Sequence, residues 1–152
     1  MSATAKRNLG GKYLAFTLAG EQYGLEIQKV REIIGIMAIT AVPRMPSYIK
    51  GVINLRGRVI PVQALRTKFN LPEQDGGCIV VVRLGETEMG LIVDGVCEVR
   101  NIPAEQIDDV PSFGAQVDTR FILGIGKNDQ RITILLDIEQ ILGVQERAKD
   151  AA

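Results

Sequence analysis

The two side chains with the most chemical potential here are the thiols of Cys78 and Cys97. A cysteine attacks as its thiolate and needs a neighbour that lowers its pKa. Both lie in apolar, strand-like runs, Cys-Ile-Val-Val-Val and Gly-Val-Cys-Glu-Val. Such surroundings raise a thiol pKa, so both read as buried, reduced thiols of a cytoplasmic protein. A disulfide between them has no support in the sequence. The chain has no histidine and no tryptophan. Without histidine there is no Ser-His-Asp or Cys-His nucleophile pair, no phosphohistidine and no imidazole metal ligand. Neither a Walker loop nor a GxGxxG turn occurs. Gly10-Gly11 and Gly76-Gly77 read as linkers, and Asp108-Asp109 as solvated surface. No catalytic residue, metal ligand or cofactor is assigned.

Charge excludes another class. Basic and acidic residues number 18 each, which argues against a general nucleic-acid binder. The distribution is uneven. Arg31 to Phe69 holds seven basic residues and one acid, whereas Asn101 to Asp118 holds four acids and no base. This reads either as solvated surface or as two faces of opposite sign that suit contacts with related partners. A chain of 152 residues, 46% hydrophobic, is one domain or two small subdomains sharing a core. No apolar run reaches the ~18 residues a membrane span requires.

The elements that would position these residues are short strands. Expected strands are Lys12 to Leu18, Gln22 to Ile27, Ile33 to Ala41, Tyr48 to Asn54 and Arg58 to Ala64. A second series is Cys78 to Leu84, Glu88 to Val93, Val96 to Ile102, Phe121 to Gly126 and Arg131 to Leu136, with Lys127 to Gln130 as the last turn. Short helices are expected at Ala64 to Phe69, Ala104 to Ile107 and Ile138 to Gly143, the last capped by Asp137.

The two series are copies. At an offset of 66, Leu18, Gly24, Leu25, Val30 and Glu32 meet Leu84, Gly90, Leu91, Val96 and Glu98. At an offset of 73, Ile49, Gly51, Arg58 and Leu65 meet Ile122, Gly124, Arg131 and Ile138. Repetition with short, evenly spaced strands predicts a mainly β protein of two small barrels, about five strands each, packed together. The repeats cover about 12–72 and 78–142 in a domain spanning 12–145, with 1–11 and 146–152 as flexible tails. A body of paired barrels favours docking over chemistry.

The run Tyr48-Ile49-Lys50-Gly51-Val52-Ile53-Asn54-Leu55-Arg56-Gly57, followed by Arg58-Val59-Ile60-Pro61-Val62, resembles the CheW family. Tyr23-Gly24-Leu25-Glu26-Ile27, Val30-Arg31-Glu32-Ile33 and Gly90-Leu91-Ile92-Val93-Asp94-Gly95-Val96 fit the same family. The resemblance covers about Lys12 to Leu142. It implies a mainly β fold of two five-stranded, SH3-like β-barrels packed side by side, and a non-catalytic chemotaxis adaptor that joins transmembrane chemoreceptors to the histidine kinase CheA, cytoplasmic and associated with receptor arrays. The implied partners are receptor cytoplasmic tips and the CheA regulatory domain, with no nucleic acid and no membrane insertion. The implied receptor-binding positions are Val30, Glu32, Gly51, Arg56 and Val99. The implied kinase-binding positions are Ile39, Val42, Met45 and Phe113. One departure is Ala64, where the family often has an Asp that could cap the following helix.

By residue type alone, Arg56 in a tight turn is a solvated side chain that could fork onto a carboxylate. Val30 and Glu32 recur as Val96 and Glu98, which fits a structural role in both repeats. Gly51 reads as a backbone requirement. Phe113, in a polar loop after Pro111-Ser112, reads as a docking anchor. Three rivals remain. One is a nucleic-acid-binding barrel using the basic run Arg56 to Lys68, although only Phe69 could stack there. Another is a cysteine enzyme. The third is a coupling protein of a non-motility chemosensory pathway.

Overall fold

A computed structural model describes residues 9–110, 119–128 and 130–142. The β-branched, alternating runs become strands: β1 (Gly11–Leu18), β2 (Glu21–Glu26), β3 (Val30–Gly35), β4 (Ile49–Leu55) and β5 (Arg58–Ala64). After helix α1 (Leu65–Lys68) come β6 (Cys78–Leu84), β7 (Thr87–Val93), β8 (Gly95–Ile102), β9 (Ile107–Asp108), β10 (Ile122–Asn128) and β11 (Arg131–Leu136). Residues 138–142 form a second helix, α2. The protein is mainly β, as the spacing predicts.

The strands form two sheets, ordered β8-β1-β2-β11-β10-β9 and β3-β6-β7-β5-β4. The second has the expected five strands; the first has six, counting the two-residue β9. The repeats exchange strands. Hairpin β1–β2 joins β10 and β11, while hairpin β6–β7 joins β4 and β5. The parallel junctions obey both offsets: Gly24 meets Leu135 where β2 runs beside β11, and Gly90 meets Val62 where β7 runs beside β5. A Cβ on Gly24 would come within 3.0 Å of the Leu135 side chain, and one on Gly90 within 2.8 Å of Ile79. The recurring glycines therefore mark the places where the strands of one repeat close onto those of the other.

Contacts divide the described residues into two units. One holds 9–15, 22–27 and 98–142, with a core around Tyr13, Ile102 and Leu135 flanked by Ile107 and Leu123. The other holds 16–21 and 28–97, with a core of Ile53, Leu55, Ile60, Val62, Ile79 and Val81. Burying one such side chain contributes about 1.5–3 kcal/mol, so these clusters fix which faces of the strands remain free.

Several expectations change. The apolar run Ile33 to Ala41 is not one strand. Pairing with β6 ends at Gly35, Met37 and Ile39 turn inward against the second core, and Thr40 bridges Val52 instead. Strand β10 runs on through Asn128, which pairs with Arg131, so the last turn is shorter than expected. Cys97 is exposed, in a run of β8 that is exposed from Cys97 to Val99, and Cys78, at the start of β6, is half-buried. Burial still pushes the Cys78 thiol pKa up. The missing cap at Ala64 is real: α1 has no side-chain cap, whereas at the equivalent position in α2 the Asp137 carboxylate accepts from the Gln140 N–H at 3.3 Å.

Candidate docking site for protein partners

The hairpin β4–β5 turns over two residues, Arg56 and Gly57. Their φ angles are 51° and 88°. Positive φ at both central residues belongs to a type I′ turn, which suits the strand twist and normally takes Asn-Gly. The Asn54 carboxamide oxygen accepts from the Gly57 N–H at 2.8 Å and holds the turn. Arginine at the first position is strained, because its Cβ crowds the following carbonyl in this region. Strain of this kind clusters at functional sites.

The strained arginine is also paired. Its guanidinium Nη2 donates to the Glu32 carboxylate. Arg56 is 63% exposed and Glu32 28%, so the fork stays reachable from solvent. Glu32 lies on β3, and β3 and β4 are the two edges of the second sheet. The pair therefore ties one edge of that sheet to the turn at the other. A bulge between Val30 and Glu32 shifts the β3 register and helps aim the carboxylate.

A second cluster lies on the same sheet. Glu88 on β7 accepts from Arg58 and lies 3.4 Å from Arg31 Nε. The Arg58 hydrogen bond, aided by the charges of Arg58, Arg31 and Arg83, holds the Glu88 carboxyl below its ordinary value. Arg66 chelates Asp94 with contacts of 2.7 and 2.6 Å and lowers its pKa in the same way. Lys50 reaches Glu73 at 2.7 Å. Five of the seven cations between Arg31 and Phe69 are thus ion-paired, sharing four carboxylates. Lys68 rests 3.9 Å over the Tyr48 ring. The basic run is not the free cationic face that nucleic-acid binding requires.

Of the expected receptor positions, the structure joins Glu32 and Arg56 directly. Val30 is half-buried on β3, two residues from Glu32. Gly51 is buried, with φ of 143°, and a Cβ there would sit 2.1 Å from the Thr40 carbonyl oxygen. It seats residue 40 against β4 and presents no side chain. Val99 is exposed on β8, in the other unit. Of the kinase positions, Ile39 is half-buried against the second core, while Val42 and Met45 are exposed between β3 and β4. Phe113 lies outside the described residues.

Sequence reasoning missed four exposed apolar residues: Ile33, Ile36, Val59 and Ile132. Val59 and Ile132 are 71% and 59% exposed and are equivalent at the 73-residue offset. The available signal was the Arg-Val and Arg-Ile dipeptides opening β5 and β11. Among the described residues no cluster of His, Cys, Asp or Glu could hold a metal ion, and no helix is long and apolar enough to cross a membrane.

The arrangement offers exposed apolar side chains and a solvent-facing ion pair, Arg56 with Glu32, which is the equipment of a docking surface. Comparison with known proteins agrees. The family model described as CheW-like domain matches residues 12–146. The chain belongs to the CheW-like domain family. It is similar to the chemotaxis protein CheW of Klebsiella aerogenes, with 38% identity over 97% of this chain and 91% of that one. It is also similar to the chemotaxis protein CheW of Bacillus subtilis, with 35% identity over 91% of each chain. Among solved structures, the scaffolding protein TtCheW of Thermoanaerobacter tengcongensis matches with a TM-score of 0.77 and 36% identity, over 85% of this chain and 90% of that one. CheW-like proteins are scaffolds, and every docking position discussed above, Phe113 included, lies within the matched residues 12–146.

Proposed function

We propose that this chain is a non-catalytic chemotaxis adaptor that couples the cytoplasmic tips of chemoreceptors to the regulatory domain of the kinase CheA, in the cytoplasm beneath receptor arrays. The observation that carries this is Arg56, an exposed guanidinium kept in a strained turn conformation and oriented by Glu32, on a chain of a scaffold family. A rigid planar fork beside exposed aliphatic side chains suits an amphipathic helix that brings a carboxylate.

In this proposal Arg56 and Glu32 form the receptor contact, Val30 and Val99 add apolar contacts, and Gly51 shapes the backbone. Val42 and Met45 form the exposed part of the kinase contact, with Ile39 anchoring their segment. Phe113 joins the kinase contact on the strength of the family resemblance alone.

The test uses Arg56→Asp. Its charge repels Glu32 and any receptor carboxylate. Binding to a purified receptor cytoplasmic fragment, measured by isothermal titration calorimetry, is expected to vanish. Binding to the kinase regulatory domain and the melting temperature are expected to stay nearly unchanged. Equal loss of both bindings, or unfolding, would refute separate docking surfaces.

A further inference from the structure

The segment between α1 and β6 ends in a run that lies on the surface. Residues 72–77 read Pro-Glu-Gln-Asp-Gly-Gly, and all are exposed. Polar contacts hold this strap. Arg66 donates from Nη1 to the Pro72 carbonyl at 2.7 Å and from Nη2 to Gln74 Oε1 at 2.9 Å. Lys50 Nζ donates to Glu73 Oε2 at 2.7 Å, and Thr67 Oγ1 donates to the same oxygen at 3.4 Å.

The strap borders a cavity of about 340 Å³. Its apolar wall is Ile36, Ile39, Ala64 and Ile92; its polar wall is Lys50, Arg66, Asp94 and the strap. A volume near 300 Å³, apolar on one side with a few placed charges, is the small end of the range for ligand sites. The two cations differ. Arg66 is committed to Asp94, Pro72 and Gln74. Lys50 holds Glu73, a carboxylate that is itself 67% exposed and easily released.

We infer that residues 72–76 are a lid and that Glu73 is an internal stand-in: when the lid lifts, the cavity takes a small apolar anion, its rings on the isoleucines and its charge on Lys50. The charge complementarity is already displayed, since a carboxylate occupies Lys50 in the closed form. An exposed pair is screened by salt, so the lid opens more readily as ionic strength rises.

Two fluorescent probes separate the parts of this inference: anilinonaphthalene sulfonate, and phenylnaphthylamine, which is the same skeleton without the sulfonate. Glu73→Gln removes the charged latch and leaves Lys50 free, while the Arg66 contacts to Pro72 and Gln74 remain; both probes are expected to bind roughly two- to fivefold tighter, the range an exposed ion pair controls. Lys50→Gln unlatches the lid but removes the cation, so only the neutral probe is expected to gain and the anion is expected to bind more weakly. Amide shifts on probe addition are expected to centre on Ile36, Ala64 and Ile92. Unchanged affinity of both probes for Glu73→Gln would overturn the inference, as would shifts centred on Val59 or Ile132. Neither variant touches Arg56 or Glu32, so failure here is distinguishable from failure of the adaptor proposal.

Discussion

Replacing Arg56 with asparagine should separate stability from binding. Asparagine tolerates positive φ and, before Gly57, gives the favoured Asn-Gly turn. Relief of the left-handed strain at φ 51° is worth about 1 kcal/mol. Loss of the Glu32 pair removes about 0.5 kcal/mol, because Arg56 is mostly exposed. The net is a gain of about 0.5 kcal/mol. For a chain of this length that raises the melting temperature by roughly 1–2 °C. Receptor binding should move the other way. If the fork is an interface anchor, its removal weakens binding by about 2 kcal/mol, or roughly 30-fold in Kd. Urea unfolding with an unchanged slope gives the first quantity, and calorimetric titration with a receptor cytoplasmic fragment gives the second. A stability loss greater than about 1.5 kcal/mol would mean that Arg56 holds the sheet edges together and is not kept for docking. Unchanged binding would remove it from the interface.

Gln63 is fully buried, with its amide nitrogen on the Met89 sulfur and its Oε1 without a partner. Gln63→Leu is expected to raise stability by about 1 kcal/mol in urea unfolding, and destabilisation would show that the amide has a hidden acceptor role. Acid should weaken the fold in a defined direction. Glu88 and Asp94 sit below their ordinary values of 4.5 and 3.8, so the unfolded chain binds protons first as pH falls. Their stabilisation is complete above those ordinary values and disappears as pH drops through the folded pKa values. Glu88→Gln should flatten the slope of stability against pH below about pH 4.5, and an unchanged slope in acid urea titrations would contradict this.

The repeat made much of the fold legible. Glycines 24 and 90 recur because each lies where strands of the two copies close together in parallel, and sequence self-similarity exposes such a demand directly. Ala64, where the resembling family often has an Asp, put a side-chain cap of the first helix in doubt, and α1 has none. Other features were hidden because they depend on long-range pairing. The β-branched residues from Ile33 onward looked like continuous strand, yet the partner changes from β6 to β4 along the way. Cys97 looked buried because its neighbours are apolar, but β8 is the edge of its sheet and is exposed on both faces from Cys97 to Val99. Arg56 was visible as a turn residue with a fork. Its partner Glu32, 24 residues away, was not, because nothing in a sequence reports which two strands become the edges of one sheet.

The most direct measurement asks whether one molecule holds both partners at once. The purified chain would be mixed with a receptor cytoplasmic fragment and the kinase regulatory domain, and the mixture followed by size-exclusion chromatography with light scattering. An adaptor yields a ternary complex, which Arg56→Asp reduces to the chain with the kinase domain alone. Two binary complexes that exclude one another, or no complex with either partner, would contradict the account.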